Sequence, residues 1–505
     1  MFLKAKDSTA LPLKPFSWNR FFLGIKKIFK TIFVGNTRPR QMFNLYLYFL
    51  LFGTILLMTP LATVKGQWNF LEALFTASSA FSDTGLTVKS TANDFTFFGQ
   101  LVVLLLIKFG GIGLIAVKLF LLSLFQFGHN SNLKERLLIQ GERGSPKLGT
   151  SVNVLKVGII VMTLTEFLGA ITLALYFYFV PNSGVSYGTN ADMIYNNNFW
   201  LSLWAGVFHS ISAVNNAGFD IIGQNSLVPF QTDYFVQWVF IIEFVIGGIG
   251  FPVFYDLFSY IRSKTEGKRF RFSLFTKLTV STYFIVAILG VGSVVLVELV
   301  SPIDSQSIWG NMSNGNALMA IFFNTMSTRN AGFYTIELTR FHATSGVIQS
   351  FMMWIGSSPA STAGGIRTTT LAIIIMSIFS LASGRENVNI FKRKIAPQTI
   401  KMAFAVAFVG GFMVIFTSMV ILIENLFNNI NGDIGFVQSL YDAASAFGTT
   451  GLSVFDNARL GVVSKICLII CMFVGQLGVS TTILAWSDSK RKRNINRIQE
   501  DVQIG

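Results

Sequence analysis

Four ten-residue strings share a pattern that can hold a cation through backbone oxygen. They are SAFSDTGLTV (Ser79 to Val88), SAVNNAGFDI (Ser212 to Ile221), MSTRNAGFYT (Met326 to Thr335) and SAFGTTGLSV (Ser445 to Val454). Aligned without gaps, they put glycine at one place: Gly85, Gly218, Gly332 and Gly451. A small residue precedes each: Thr84, Ala217, Ala331 and Thr450. A large apolar residue follows. A dehydrated cation needs several oxygens at once, and four loops turning carbonyls inward would supply a ring of them. Such loops need backbone angles that glycine adopts at least cost. Side chains contribute little to this chemistry, which fits the variety around each glycine. One small–Gly–apolar tripeptide is a common turn. Four copies at intervals of 133, 114 and 119 residues imply a repeated structural unit.

The elements that would position these loops can be read from hydropathy. Strong apolar runs fall near 43–63, 97–127, 154–181, 234–261, 274–300, 345–382, 400–426 and 461–486. Each is long enough for a membrane helix, which takes about 20 apolar residues. Weaker stretches near 68–81, 198–214, 315–328 and 436–447 are too short to span, and each leads into one glycine string. Such a stretch is either a re-entrant half-helix or an external loop packed on the bundle. Irregular backbone at membrane depth survives only where it is buried in protein or lines water. Four copies, each between two spans, favour the re-entrant form. The unit is span, half-helix, glycine loop, span. Two crossings per unit keep all four copies in one orientation around an axis normal to the membrane, unlike an inverted-repeat carrier. The negative ends of the half-helices would face the same place.

Composition agrees. Of 505 residues, 52% are hydrophobic and 12% charged, with mean hydropathy +0.57. That excludes an ordinary soluble globule and a disordered chain. Two cysteines and three histidines leave little for a disulfide framework or a zinc site. The net charge of +15 sits mostly in the N-terminal arm and in segments 134–156, 262–277, 385–401 and 490–497. Basic loops remain cytoplasmic, so both termini are expected inside, with eight crossings between. Nucleic acid is not implied. The N-terminus shows no apolar core with a cleavage site; residues 11–34 read either as an amphipathic arm on the anionic leaflet or as a plain basic leader.

These strings, in this order, resemble the TrkH/KtrB/HKT superfamily of potassium transporters, and SAVNNAGFD, STRNAGF and SAFGTTGLS are most similar to its bacterial KtrB branch. The resemblance spans roughly 40–490. It implies an all-α membrane protein with four membrane–pore-helix–membrane repeats around one pore, eight transmembrane helices plus four re-entrant half-helices. The expected divisions are a basic arm at 1–40, repeats at 41–130, 150–262, 272–385 and 398–488, and a basic tail at 489–505. The resemblance implies a K⁺ uptake subunit of the bacterial cell membrane, in some members passing or needing Na⁺, with no covalent cofactor. It makes Gly85, Gly218, Gly332 and Gly451, with Thr84, Ala217, Ala331 and Thr450, the K⁺-binding filter. It further implies a homodimer working with a separate cytosolic nucleotide-binding ring of the KtrA kind.

The second spans carry FGGIG (Phe109 to Gly113), GGIGFPV (Gly247 to Val253) and FVGQLGVST (Phe473 to Thr481). Only the third is expected to be broken, by GSSPASTAGGIRTTT. Pro359 removes a backbone donor, and Gly364 with Gly365 weakens a helix further. In the family this place is a gate loop, so Gly356, Ser357, Ser358, Pro359, Ala360, Ser361, Thr362, Ala363, Gly364, Gly365 and Arg367 are gate candidates. The competing reading is a merely kinked span. Arg367 is either an anchor paired with a carboxylate or carbonyls, or a residue snorkelling to the inner surface. Family members commonly carry arginine where Gln476 stands, as a barrier below the filter; the neutral amide departs from that pattern. Asp83 and Asp220 could concentrate cations at the mouth, with Arg329 bracing one of them, or act as structural struts behind the loops. Glu72, Asn324 and Asp442 read as struts. Cys467 and Cys471 read as packing, and His209 has no evident partner ligand. No clustered catalytic groups point to an enzyme.

Overall fold

A computed structural model describes residues 37–66, 69–113, 151–180, 196–223, 226–302, 307–428 and 434–485. The N-terminal arm up to residue 36, most of the basic segment 134–156, the far end of the 97–127 run and the tail at 490–497 lie outside the described residues.

Each glycine string sits in one of four successive units, built of a long first helix, a short helix and a second helix. The first helices are Arg38–Leu57, Ser151–Phe179, Leu274–Val300 and Pro397–Asn428. Leu274–Val300 holds 27 residues, about 40 Å at 1.5 Å per residue, ample for a hydrocarbon core of about 30 Å. All four are long and apolar enough to cross a membrane. They carry exposed apolar side chains such as Val300, Phe408, Leu426 and Phe427, the surface expected against lipid rather than water.

The short helices are Phe70–Phe81, Phe199–Val214, Asn314–Ser327 and Phe436–Gly448. Each matches an expected weak apolar stretch within two residues. The last three residues of each are buried, as in Ser79 to Phe81 and Ala446 to Gly448. That burial settles the choice between half-helix and external loop: these helices point into the bundle.

The second helices begin at Phe97, Tyr234, Ala343 and Val462. Thr96 and Asp233 cap the first two, accepting from Gly99 N at 3.2 Å and from Phe235 N at 3.0 Å. All four second helices end at a left-handed glycine, and among the described residues those of units two and four break as well as the third, which corrects the expectation that only the third does. They end in Gly-Gly-Ile-Gly, Gly-Gly-Ile-Gly, Trp-Ile-Gly and Gly-Gln-Leu-Gly. The last glycines, Gly113, Gly250, Gly356 and Gly478, have φ of 87°, 99°, 70° and 85°, angles that end a right-handed helix. After Gly250 the chain resumes as Phe251–Thr265, bent by 94°, with Pro252 in its first turn; after Gly478 it resumes as Val479–Ala485, bent by 98°. After Gly356 it resumes only at Thr368–Ala382. These breaks explain why four described helices are uninterrupted spans, and six when each bent pair counts as one, where hydropathy alone gave eight runs.

The otherwise helical chain carries one two-stranded hairpin among the described residues, Asn389–Ile390 with Arg393–Lys394, in the basic segment between units three and four. Phe391 and Lys392 turn it with φ of 46° and 63°. Units one and two share one apolar core around Phe81, Phe208 and Phe244. Units three and four share another around Phe447, Met353 and Leu468. The glycine loops contribute to both, with Ala217, Phe219, Ala331 and Phe333 in the first and Leu86 and Leu452 in the second.

Candidate functional site

The four glycine loops form a closed ring. A Cβ added to Gly85 would lie 2.5 Å from the Ala217 carbonyl; on Gly218, 3.1 Å from that of Ala331; on Gly332, 2.3 Å from that of Thr450; on Gly451, 2.1 Å from that of Thr84. Each glycine therefore abuts the residue before the next unit's glycine, in the order one, two, three, four and back to one. All eight residues expected from the sequence come together here.

Two residues in each loop, not one, are left-handed. The glycines have φ of 95°, 67°, 80° and 90°, and two positions earlier Asp83, Asn216, Asn330 and Thr449 have φ of 51°, 60°, 77° and 54°. Asp and Asn tolerate this region; Thr449 is β-branched and strained there. Serine six residues before the glycine fixes two of the turns, with Ser79 Oγ accepting from Gly85 N and Ser445 Oγ from Gly451 N, both at 3.0 Å. Ser212 instead donates to the Phe219 carbonyl at 2.7 Å.

The chain leaving each ring position is also held, by chemically different side chains. The backbone N–H three residues past the glycine is accepted by His209 Nε2 from Ile221 at 3.2 Å, by Asn324 Oδ1 from Thr335 at 3.3 Å, and by Asp442 Oδ1 from Val454 at 3.0 Å. His209 is thus a strut rather than a metal ligand. In unit one, Glu72 pairs with Lys89 at 3.1 Å.

On one side of the ring lies a cavity of about 660 Å³, lined by the four glycines and by Asp94, Asp220, Glu337 and Asp456. Burial pushes the Asp220 carboxyl up to about 7, against the backbone N–H groups of Gly223 and Ile222, which hold it down. Asp83 does not join this mouth and takes the place of a strut instead. Its left-handed backbone turns it to the opposite side, where Gln476 Nε2 donates to it at 3.0 Å. Nor does Arg329 brace either acid: it is fully buried, with its guanidinium 5.0 Å above the Tyr283 ring.

That opposite side is filled by residues 356–367. The segment is a compact loop with a closed neck: Arg367 N donates to the Ile355 carbonyl and Thr368 N to that of Ser357, both at 2.9 Å. Ser357 Oγ donates to the Gly248 carbonyl at 2.9 Å, and Phe251 N donates to that of Ala360 at 3.0 Å, so the broken helix of unit two supplies the partners. Thr362 Oγ1 lies 3.3 Å from Asn216 Oδ1. Gly364 packs so closely on Thr449 that a methyl group there would lie 2.5 Å from its Oγ1. Gln476 Nε2 donates to the Thr362 carbonyl at 3.0 Å, and Arg367 Nη2 donates to the carbonyl of Gln476 at 3.2 Å. Arg367 therefore meets a carbonyl, as the anchor reading expects. The loop touches two of the left-handed residues under the ring, Asn216 and Thr449, and reaches a third, Asp83, through Gln476.

Sequence reasoning passed over Lys108, Glu166 and Glu243, which form a buried polar cluster behind the second loop. The signal was present: lone ionisable residues within long apolar runs.

The family described as TrkH, cation transport protein, matches residues 38–496. The Ktr system potassium uptake protein D of Bacillus subtilis is 32% identical over 92% of this chain and 97% of its own length. An uncharacterized cation transporter of Mycoplasma genitalium is 32% identical over 94% of this chain and 99% of its own. Among solved structures, the potassium transporter TrkH from Vibrio parahaemolyticus superposes with a TM-score of 0.61 at 16% identity, covering 88% of this chain and 85% of that one.

Proposed function

The chain belongs to the TrkH family of cation transport proteins, and from that premise we propose that it is the ion-translocating membrane subunit of a potassium uptake system. The observation that carries the reading is the closed ring, in which each glycine meets the next unit's backbone carbonyl. Carbonyls of Thr84, Ala217, Ala331 and Thr450 and of the four glycines replace the hydration shell of K⁺. The carboxylates of the open cavity raise the cation concentration at its mouth. The name borne by the Bacillus relative supports K⁺ as the ion.

Residues 356–367, with Gln476, form the gate. The loop closes the inner side of the ring, and it must move for ions to pass. Its hold on its neighbours includes a set of single hydrogen bonds, each worth about 1 kcal/mol net, besides the packing of Ile366 in the apolar core. The protein sits in the bacterial cell membrane with both termini in the cytoplasm, as a homodimer regulated by a separate nucleotide-binding ring. The basic segments 262–277 and 385–401 support that orientation and give the regulator a positive face. A regulator gates only if it binds one loop position more tightly than the other.

The test is purified protein in liposomes under opposed K⁺ and Na⁺ gradients. A reversal potential set by K⁺ supports the reading. A potential set equally by both ions makes this a non-selective or Na⁺-permeable member of the same fold. No cation current with or without the host's ring protein overturns it.

A further inference from the structure

A cluster of ionisable side chains lies behind the second loop, away from the ring. Lys108, from the second helix of unit one, pairs with Glu166 from the first helix of unit two. Asn215, at the start of the second loop, donates its amide to Glu166 Oε1 at 2.8 Å. Ser210, in the short helix of unit two, has its Oγ 2.9 Å from the Glu166 carbonyl and 2.6 Å from Glu243 Oε1. Glu243 belongs to the second helix of unit two, four residues before Gly247. Glu166 and Glu243 are 6% and 2% exposed. Gly169 gives Glu243 its room, since a Cβ there would lie 1.6 Å from Oε1.

Charge and proton counts lead to one protonation state. The cluster has one ammonium and two carboxyl groups. Glu166 is matched by Lys108 and Asn215. Glu243 has no cation beside it, and its Oε2 has no hydrogen-bond partner among the described residues. An ionised Glu243 would be an uncompensated buried charge. A hydroxyl has one proton, and a peptide carbonyl can only accept. Ser210 therefore cannot donate to both of its neighbours. Both contacts are hydrogen bonds when Ser210 donates to the Glu166 carbonyl and accepts from Glu243, which a carboxyl group can do only when protonated.

Among the described residues, the surroundings supply nothing to change this count. His209, next to Ser210, is turned to the Ala205 carbonyl and to Ile221 N. The first helix of unit three brings Tyr283 to Gly248, with Arg329 over its ring. The short helix of unit three, Asn314–Ser327, carries no charged residue.

We propose that Glu243 is a proton-binding site: a neutral carboxylic acid that donates to Ser210 and thereby joins the second helix of unit two to its short helix. This bond ties the second glycine loop to the gate. Four residues on from Glu243, Gly247 meets the gate loop through Thr362, and Asn215 of the same cluster opens the second glycine loop. Glu243 is a positioning residue, since it touches no ion in the path. Alkaline loss of its proton to solvent would remove the donor and leave a buried anion, loosening that connection.

Infrared spectroscopy of the full-length protein in lipid tests the site directly. We expect the native protein at pH 7 to show a carbonyl stretch of a protonated carboxylic acid that Glu243→Gln lacks, above whatever Asp220 contributes to both. A native-minus-variant difference spectrum with no acid band overturns the proposal. If Glu243→Gln does not fold, alkaline titration of Asp220→Asn decides, with conversion of a remaining acid band to a carboxylate band supporting the site and the absence of any acid band refuting it. The link to the gate rests on the transport reading above, whereas the infrared arm does not. For that link, Glu243→Gln, which still donates, should keep K⁺ flux within about twofold. Glu243→Leu, which cannot, should change it by about fivefold, the worth of one hydrogen bond. Equal flux in the two variants removes the link.

Discussion

The side-chain amide of Gln476 and the carboxylate of Asp83 lie 3.0 Å apart, and the same amide nitrogen reaches the Thr362 carbonyl at 3.0 Å. One donor group thus joins the first glycine loop to the loop that closes the ring. Arg367 holds the other end of the same residue, through its backbone carbonyl. The contact between the first glycine loop and the 356–367 loop therefore runs through a neutral amide.

This arrangement predicts opposite effects for two changes at one position. Gln476→Leu removes both bonds, and K⁺ flux should rise by about tenfold, corresponding to roughly 1.4 kcal/mol of lost hold. Gln476→Arg puts a cation against Asp83 and should lower flux; Asp83→Asn in that background should restore part of it. Deleting Ser358 to Ala363 should raise flux more than Gln476→Leu does. Unchanged flux in a folded deletion variant would show that the loop is not the barrier.

Serine at the ring glycines should reduce K⁺ uptake or its selectivity over Na⁺. A left-handed backbone costs a residue with a side chain about 1–2 kcal/mol, and the clash with the next carbonyl adds to this. The clash ranks the sites. Gly451→Ser and Gly332→Ser, with 2.1 Å and 2.3 Å to the facing carbonyl, should be the most damaging, and Gly218→Ser, with 3.1 Å, the mildest. Equal K⁺/Na⁺ permeability ratios in all four variants and the native protein would remove the filter assignment.

The struts past the ring should be exchangeable by hydrogen-bonding role rather than by charge. Asp442 in unit four accepts the same backbone N–H as Asn324 in unit three. Asp442→Asn should therefore keep ion selectivity. Asp442→Ala loses an acceptor worth about 1.5–3 kcal/mol and should lower both thermal stability and selectivity. A thermal melt together with the reversal potential checks both.

Acidity at the outer cavity should follow Asp220. Its carboxyl is pushed up to about 7 by burial, so it is largely protonated below that pH and largely ionised above it. Lowering the external pH through 7 removes a negative charge from the mouth, and the apparent affinity for K⁺ should fall a few-fold. Unit charges 4 Å apart in water interact by about 1 kcal/mol. Asp220→Asn should show the low-pH affinity throughout. A variant that keeps the native pH profile would mean that another group sets it.

The sequence alone determined the units, because hydropathy and a rigid spacing around one glycine are local properties. It placed all four short helices within two residues and named the eight ring residues, because backbone chemistry leaves glycine at fixed positions. It also marked 356–370 as broken, since proline and paired glycines cannot sit quietly in a helix. Only the tertiary structure showed that the second helices of units two and four break as well as the third, and that all four end at a left-handed glycine. A glycine in Gly-Gly-Ile-Gly permits a left-handed angle but does not require one, and the packing of the neighbouring loop decides whether it is used. The direction of a side chain was likewise out of reach. Asp83 and Asp220 both flank a ring glycine in the sequence, yet one lies two residues before it and the other two after, on opposite sides of a turn that reverses the chain. The partners of Gln476, and Lys108 as the partner of Glu166, come from other units, and Ser210 meets Glu243 from another helix of the same unit, tens to hundreds of residues away. Which buried polar group meets which is fixed when the units close around their axis, because each buried donor and acceptor must then find its partner inside the protein.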